Sequence, residues 1–127
     1  MDEEQTIVYG KLVRDQIPRI IEAGGRTAAV RVLSESELVP ALTAKLVEEA
    51  EELHRAEPDD RLEELADIYE VLAALTETLG YSDEEVEEAA RHKRAKRGGF
   101  RRRLWLDEVR PTRDPEAAYG APERLYE

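Results

Sequence analysis

Two pairs of carboxylates are the side chains of this sequence that are best suited to chemistry. Glu49 and Glu52 form the first pair, and Glu64 and Asp67 form the second. The members of each pair are three residues apart, so on a helix they lie on the same side. On an idealised helix Glu49 lies within about 60° of four leucines. The first pair is therefore expected at the edge of an apolar face.

The second pair interrupts an apolar face in the same way. Glu64 lies within about 80° of five apolar residues of its own helix, and Asp67 lies at the edge of that face. Four buried carboxylates need cations, raised pKa values or an open cleft, because an unpaired buried charge is costly. A divalent metal ion satisfies all four, and Mg²⁺ and Mn²⁺ prefer oxygen ligands. The alternative is that these acids form salt bridges with a basic segment, residues 91–103.

Three helices, each with a capping signal, are predicted to position these acids. A Ser-x-x-Glu capping box precedes the first and the third helix, and aspartates precede the second. Glycines follow the ends of the second and third helices. The fold is therefore expected to be mainly α. The predicted helices run from about 35 to 56 after Ser34, from about 61 to 79 after Asp59 or Asp60, and from Ser82 to Gly98 and Gly99.

The rest of the chain carries weaker signals. A short helix is predicted before Gly24 and Gly25. Residues 27–33 carry β-branched residues in rough alternation, which predicts a strand. Residues 104–109 are the candidate partner strand in a small two-stranded ribbon. Residues 1–109 are expected to form one domain. Residues 110–127 contain three prolines and no periodic apolar face, so they predict an extended tail or arm.

The composition excludes several kinds of site. The 127 residues include 19 Lys and Arg against 30 Asp and Glu, for a net charge of −11, with no cysteine and two histidines. Disulfides and cysteine nucleophiles are therefore excluded, and a zinc site is disfavoured. The N-terminus lacks the pattern of a secretory signal, and no window is apolar enough to span a membrane. We expect a soluble, cytoplasmic protein with no membrane partner.

Three separated segments occur in an order that is typical of one family. They are GKLVRDQIP at 10–18, the EExxE and ExxD acids between 48 and 67, and KRGGF at 96–100. Together they resemble the MazG-like all-α nucleoside triphosphate pyrophosphohydrolases over roughly residues 8 to 106. The sequence departs from that pattern at Gln16, where relatives often carry Lys. The resemblance implies cleavage of a nucleoside triphosphate between the α and β phosphates, which yields the monophosphate and pyrophosphate.

The resemblance also implies an assembly. Two long helices cannot enclose their wide apolar faces alone, so we expect a four-helix bundle that is completed by a second copy of the chain. The active cleft is then expected near the subunit interface. A homodimer is the minimum assembly, and a dimer of dimers is consistent with the same pattern.

Particular residues take roles under the resemblance. Glu49, Glu52, Glu64 and Asp67 would bind Mg²⁺, or Mn²⁺ in its place, and these are the four acids that the helical phase selects. Glu48, the first acid of EExxE, would orient or deprotonate the attacking water. The alternative for Glu48 is an ordinary exposed glutamate.

Basic residues are expected to bind the phosphates of the substrate and of the departing pyrophosphate. Residues 48–88 hold 17 acids against two arginines, whereas residues 91–103 hold eight Lys and Arg and no acid. The alternative for the basic segment is a solvated helix end, or a surface that pairs with the acidic helices. The phosphate-binding candidates are Lys93, Lys96 and Arg97, which share one helical face, and Lys11 with Arg14 near the N-terminus.

The resemblance therefore implies a Mg²⁺-dependent hydrolase that removes canonical or damaged nucleoside triphosphates. The related phosphoribosyl-ATP pyrophosphohydrolase of histidine biosynthesis is the enzymatic alternative, since no residue decides between the two substrates. A non-catalytic dimer that binds nucleic acid through residues 91–103 is the alternative from another class. The net charge of −11 disfavours nucleic acid as a partner, and this alternative gives no reason for the positions of Glu49 and Glu64.

Overall fold

A computed structural model of the chain describes residues 5–111, which contain four α-helices, one short 3-10 helix and no β-strand. The prediction of a mainly α fold is confirmed. None of the helices in this part of the chain combines the length and the apolar character needed to cross a lipid bilayer. The helices are α1 (Ile17–Ala23), α2 (Glu35–Arg55), α3 (Arg61–Thr78) and α4 (Asp83–Arg97), and the 3-10 helix is Pro58–Asp60.

Capping boxes begin α2 and α4, as predicted. At α2 the Glu37 carboxylate accepts hydrogen bonds from the Ser34 backbone N–H at 3.1 Å and from the Ser34 hydroxyl at 3.0 Å. At α4 the Ser82 N–H donates to the Glu85 carboxylate at 3.2 Å, and the Glu85 N–H donates to the Ser82 hydroxyl at 3.1 Å. These bonds satisfy N–H groups that have no partner within the helix.

The start of α3 differs in detail from the prediction. Asp60 occupies the N-cap position, but its side chain makes no capping hydrogen bond. The 3-10 helix leads into α3 instead, and the Asp60 N–H donates to the Glu57 carbonyl at 2.9 Å. A tight backbone turn thus replaces the side-chain cap that the sequence predicted.

The end of α3 is a glycine stop, as predicted. Gly80 has a φ of 83°, a left-handed conformation that residues with a Cβ adopt at a cost. Its N–H donates to the Glu77 carbonyl, and the Tyr81 N–H donates to the Thr76 carbonyl, both at 3.0 Å. This bond pair is a Schellman motif, which closes the helix and turns the chain towards α4.

The predicted two-stranded ribbon is wrong for the described residues. Neither 27–33 nor 104–109 is a strand, and both are irregular. Val30, Val32 and Trp105 are exposed. An alternating sequence forms a strand only where one face of the strand packs on a core. The exposed side chains of these two segments do not pack on a core in that way.

The core lies between α2 and α3. The buried apolar side chains among the described residues are Leu42 of α2 and Val71 and Leu75 of α3. The half-buried side chains that pack against them are Leu12, Leu38, Val39, Leu46 and Ala74. This core is small, and several large apolar residues of α3 stay exposed. Packing of α2 on α3 therefore uses one face of α3 and leaves an outer apolar face, formed by Leu62, Leu65, Tyr69 and Leu72.

The chain divides into two compact units, Met1–His92 and Lys93–Glu127. The first contains α1, α2, α3 and most of α4. In the second, the described residues 93–111 are exposed, and Gly98, with a φ of 81°, ends α4. The predicted boundary at residue 109 stays a prediction, and the predicted tail lies outside the described residues except for its first two.

Candidate metal centre

Helices α2 and α3 bring the predicted acids into one cluster. Carboxylate oxygens of Glu49, Glu64 and Asp67 lie within 4.8 Å of one another. Oxygens of Glu48, Glu49 and Glu52 form a second group that meets the same limit. Glu49 belongs to both groups, so it lies at the centre of five acids, which we call the acid cluster. The cluster contains the four predicted metal ligands and Glu48.

Glu49 is the most confined of these acids. The residue is 5% exposed, and among the described residues it is the one charged residue that is buried. Burial raises the pKa of its carboxyl, and the neighbouring Glu52 carboxylate acts in the same direction, whereas Lys45 acts in the opposite one. Burial favours the neutral acid because a charge loses its hydration in the protein interior.

Two oxygens of the acid cluster are buried and have no hydrogen-bond partner among the described residues. They are Oε2 of Glu49 and Oε2 of Glu64. Buried polar atoms nearly always have a partner, so two such oxygens in one cluster require an explanation. A cation that both carboxylates contact would provide it. Because the side chain of Glu49 is also more than nine-tenths buried, the cluster differs from acids that merely share a solvated surface.

Three cations lie against the acid cluster. Lys45 Nζ lies 3.3 Å from Glu49 Oε1 and 3.9 Å from Glu48 Oε2. Lys11 Nζ donates to Glu48 Oε1 at 3.2 Å. Arg14 donates to Asp67 Oδ1 at 2.7 Å. The two candidate phosphate-binding residues from the N-terminal segment thus reach the acids across 37 and 53 residues of sequence.

The charges of the described cluster do not balance. Five carboxylates face three cations, which leaves a formal charge of −2 when all the groups are ionised. One divalent cation would neutralise that charge without displacing any of the three. The donor set consists of carboxylate oxygens alone, which suits Mg²⁺ or Mn²⁺ better than a softer metal.

The remaining predicted phosphate-binding residues lie in the second unit. Lys93, Lys96 and Arg97 occupy the last turn and a half of α4, and each side chain is exposed. Their assignment to phosphate binding stays a prediction.

Lys45 is the contact that the sequence prediction missed. Its position at the margin of the apolar face of α2, one turn before Glu49, was the available signal. The side chain is 18% exposed, so the ammonium is held within the site and not in bulk water. Sequence alone does not fix the rotamer that turns this side chain towards the acids.

Comparison with known proteins adds little to this geometry. No family model matches the chain, and no solved structure matches it significantly. Fifty residues are 52% identical to an uncharacterized protein of Mycolicibacterium smegmatis (strain ATCC 700084 / mc(2)155). That match covers 39% of this chain and 51% of the relative, so it spans about half of the relative's length.

Proposed function

We propose that the protein is a Mg²⁺-dependent nucleoside triphosphate pyrophosphohydrolase of the MazG-like type. In this proposal it cleaves the bond between the α and β phosphates and releases a monophosphate and pyrophosphate. The observation that carries the proposal is the buried Glu49 carboxylate, which has an unpartnered oxygen at the centre of five acids. The EExxE and ExxD spacing of these acids is the other support.

The residues that would hold the cation are Glu49 and Glu52 of α2 and Glu64 and Asp67 of α3. Their fit rests on the two orphaned buried oxygens and on the all-oxygen donor set. A divalent cation bound there would screen the charge of the phosphates and favour ionisation of the attacking water. Manganese would serve in the same role.

Glu48 is proposed to orient or deprotonate the attacking water. Its side chain is half-buried beside Glu49, and its oxygens lie 3.2 Å from Lys11 Nζ and 3.9 Å from Lys45 Nζ. In the absence of substrate these two ammonium groups orient the carboxylate, and a carboxylate next to the proposed cation is suited to general-base chemistry. The burial and the two cations favour this role over that of an ordinary exposed glutamate.

Lys11 and Arg14 are proposed to bind phosphate oxygens when the substrate is present. Their side chains are 39% and 56% exposed, so each cation contacts an acid of the cluster and still reaches solvent. Ion pairs that are this exposed are weak, and a triphosphate offers the same cations a larger negative charge. Lys93, Lys96 and Arg97 are proposed as further phosphate contacts.

A second copy of the chain is proposed to cover the outer apolar face of α3. Leu62, Leu65 and Tyr69 of that face are 78%, 52% and 75% exposed. Apolar residues grouped in this way on a helix are typical of an interface, because exposed apolar surface is costly in water. Pairing of α2 and α3 with their copies would complete a four-helix bundle.

The proposal is tested by product analysis with a panel of substrates. The purified protein is incubated with each NTP and dNTP, and with phosphoribosyl-ATP, in the presence of Mg²⁺ or EDTA. The expected result is monophosphate and pyrophosphate from at least one nucleoside triphosphate, and only with Mg²⁺. Turnover confined to phosphoribosyl-ATP would assign the alternative substrate. Absence of turnover, with salt-sensitive binding of RNA or DNA, would contradict the hydrolase and favour the nucleic-acid-binding dimer.

A further inference from the structure

Lys45 is the most enclosed cation that contacts the acid cluster. Its side chain is 18% exposed, against 39% for Lys11 and 56% for Arg14. Its ammonium lies 3.3 Å from the oxygen of Glu49 that has a partner, whereas the other oxygen of the same carboxylate has none among the described residues. Lys45 therefore places its positive charge on the carboxylate that is central to the proposed metal site.

Ordinary helix stabilisation does not explain this contact. Lys45 precedes Glu49 by four residues, and a glutamate that precedes a lysine is the more favourable order for such pairs on a helix. The pair is also removed from water, so each charge loses hydration that only a close partner replaces. Lys45 therefore acts on Glu49 in particular. It neutralises a carboxylate that would otherwise be buried without a cation.

A lysine and a divalent cation on the same carboxylate oppose each other. Both are positive, and their repulsion within a poorly hydrated site is stronger than in water. The ammonium is carried by a flexible stem of four carbons, so it can leave Glu49 and remain near the site. The phosphate oxygens of a substrate would offer it another anionic partner.

We propose that Lys45 is a tethered counter-ion of Glu49 that competes with the divalent cation for this carboxylate. This inference rests on the proposed metal site. Lys45 keeps the metal-free cluster folded and lowers the affinity of the cluster for the cation. A bound triphosphate relieves the competition by attracting the ammonium, so cation and substrate bind more tightly together than apart.

The experiment is a calorimetric titration of the full chain with Mn²⁺ alone, with no nucleotide present. Lys45→Met removes the ammonium and keeps a side chain of similar length. Arg55→Met is the matched control: it removes one positive charge from the same helix, three residues after Glu52, at a residue that forms no ion pair with a described residue. Lys45→Arg keeps the charge.

The expected result is roughly tenfold tighter Mn²⁺ binding by Lys45→Met, because close charge pairs are coupled by an energy of this order. Arg55→Met and Lys45→Arg are expected to stay within about twofold of the wild type. In EDTA, Lys45→Met is expected to unfold at a lower temperature than Arg55→Met, and Mn²⁺ is expected to raise its unfolding temperature more. Lys45→Gln serves in the same comparison if Lys45→Met does not fold in EDTA.

The outcomes separate this inference from the proposed function. Mn²⁺ binding by the wild type, with equal or weaker binding by Lys45→Met, overturns the competition and leaves the metal site intact. Equal tightening by Lys45→Met and Arg55→Met also overturns it, because the effect would then come from net charge. Failure of both the wild type and Lys45→Met to bind Mn²⁺ overturns the metal site and the inference together.

Discussion

Glu49 is the residue on which the proposed site depends most. A carboxylate buried this deeply is costly to keep ionised. One of its oxygens contacts Lys45, and the other has no hydrogen-bond partner among the described residues. A residue that served stability alone would be better replaced by an apolar side chain of similar volume. The proposed cation would account for the position of Glu49 at the centre of four other acids.

Replacement of Glu49 by Gln is expected to separate stability from cation binding. The raised pKa of Glu49, caused by burial, means that the fold penalises the ionised carboxylate. A neutral amide removes that penalty, so in EDTA near pH 7 the variant is expected to be no less stable than the wild type. Added Mg²⁺ is expected to raise the unfolding temperature of the wild type only.

Thermal unfolding followed by circular dichroism measures both effects, with Glu51→Gln as the matched control. Glu51 is an exposed acid that lies between Glu49 and Glu52 in the sequence and belongs to neither group of the cluster. Glu51→Gln is expected to keep the response to Mg²⁺. A Glu49→Gln protein that is stabilised by Mg²⁺ as strongly as the wild type would exclude Glu49 as a ligand.

At the scale of single residues, the sequence located the acids, and the resemblance named Lys11 and Arg14 as site residues without indicating which acids they contact. The phase of Glu49 and Glu64 against the leucines of their helices was sufficient to place the four acids together. The contacts of Lys11 and Arg14 depend on how the segment before α1 lies against α2 and α3, which no local pattern encodes. Long-range contacts of this kind follow from packing, so sequence patterns did not reveal them.

At the scale of elements, the helices were predictable because their ends carry local chemical signals. Capping boxes at Ser34 and Ser82 and the left-handed Gly80 act within a few residues. Residues 27–33 show the limit of this approach. A strand depends on an edge and a face supplied by other parts of the chain, so alternation alone was not enough.

The capping box of α2 makes a testable contribution to stability that depends on pH. Hydrogen bonds from the Ser34 backbone and hydroxyl, together with Arg31, lower the pKa of Glu37 below its ordinary value of 4.5. A carboxyl group whose pKa is lowered by folding stabilises the protein at pH values above the pKa that the group has in the unfolded chain. That contribution is lost as the pH falls through the folded pKa.

Glu37→Gln is therefore expected to lower the free energy of unfolding at pH 7, and the difference from the wild type is expected to close as the pH falls below 4.5. Urea unfolding at a series of pH values measures this difference. Glu35→Gln is the control, since Glu35 lies in the same first turn but outside the box. A difference between Glu37→Gln and the wild type that does not change with pH would mean that the charge of Glu37 plays no part.

At the scale of the whole molecule, the core that the described residues form is too small for the apolar surface that their helices carry. Leu42, Val71 and Leu75 are buried, while the outer apolar face of α3 is exposed. Apolar burial stabilises by about 25 cal/mol per Å², so covering that face would add substantially to the stability of a small domain. The molecule is accordingly expected to function as a homodimer or a dimer of dimers.

Leu65→Glu is expected to disrupt this assembly, because it introduces a charge into the proposed interface. Size-exclusion chromatography with light scattering should give a dimer or tetramer for the wild type. At the same micromolar concentration Leu65→Glu should give a smaller species. Val32→Glu is the control, since Val32 is 97% exposed outside the helices. A wild-type monomer, or a Leu65→Glu protein of unchanged mass, would contradict the proposed interface.

The most direct test of the central claim is the identity of the products that the wild type, Glu49→Gln and Glu51→Gln form from one nucleoside triphosphate with Mg²⁺. Ion-exchange chromatography separates the nucleotides, and pyrophosphate is measured enzymatically. The account predicts equal amounts of monophosphate and pyrophosphate from the wild type and Glu51→Gln, and a loss of about 100-fold or more in Glu49→Gln. Release of diphosphate and phosphate, or undiminished turnover by Glu49→Gln, would contradict it.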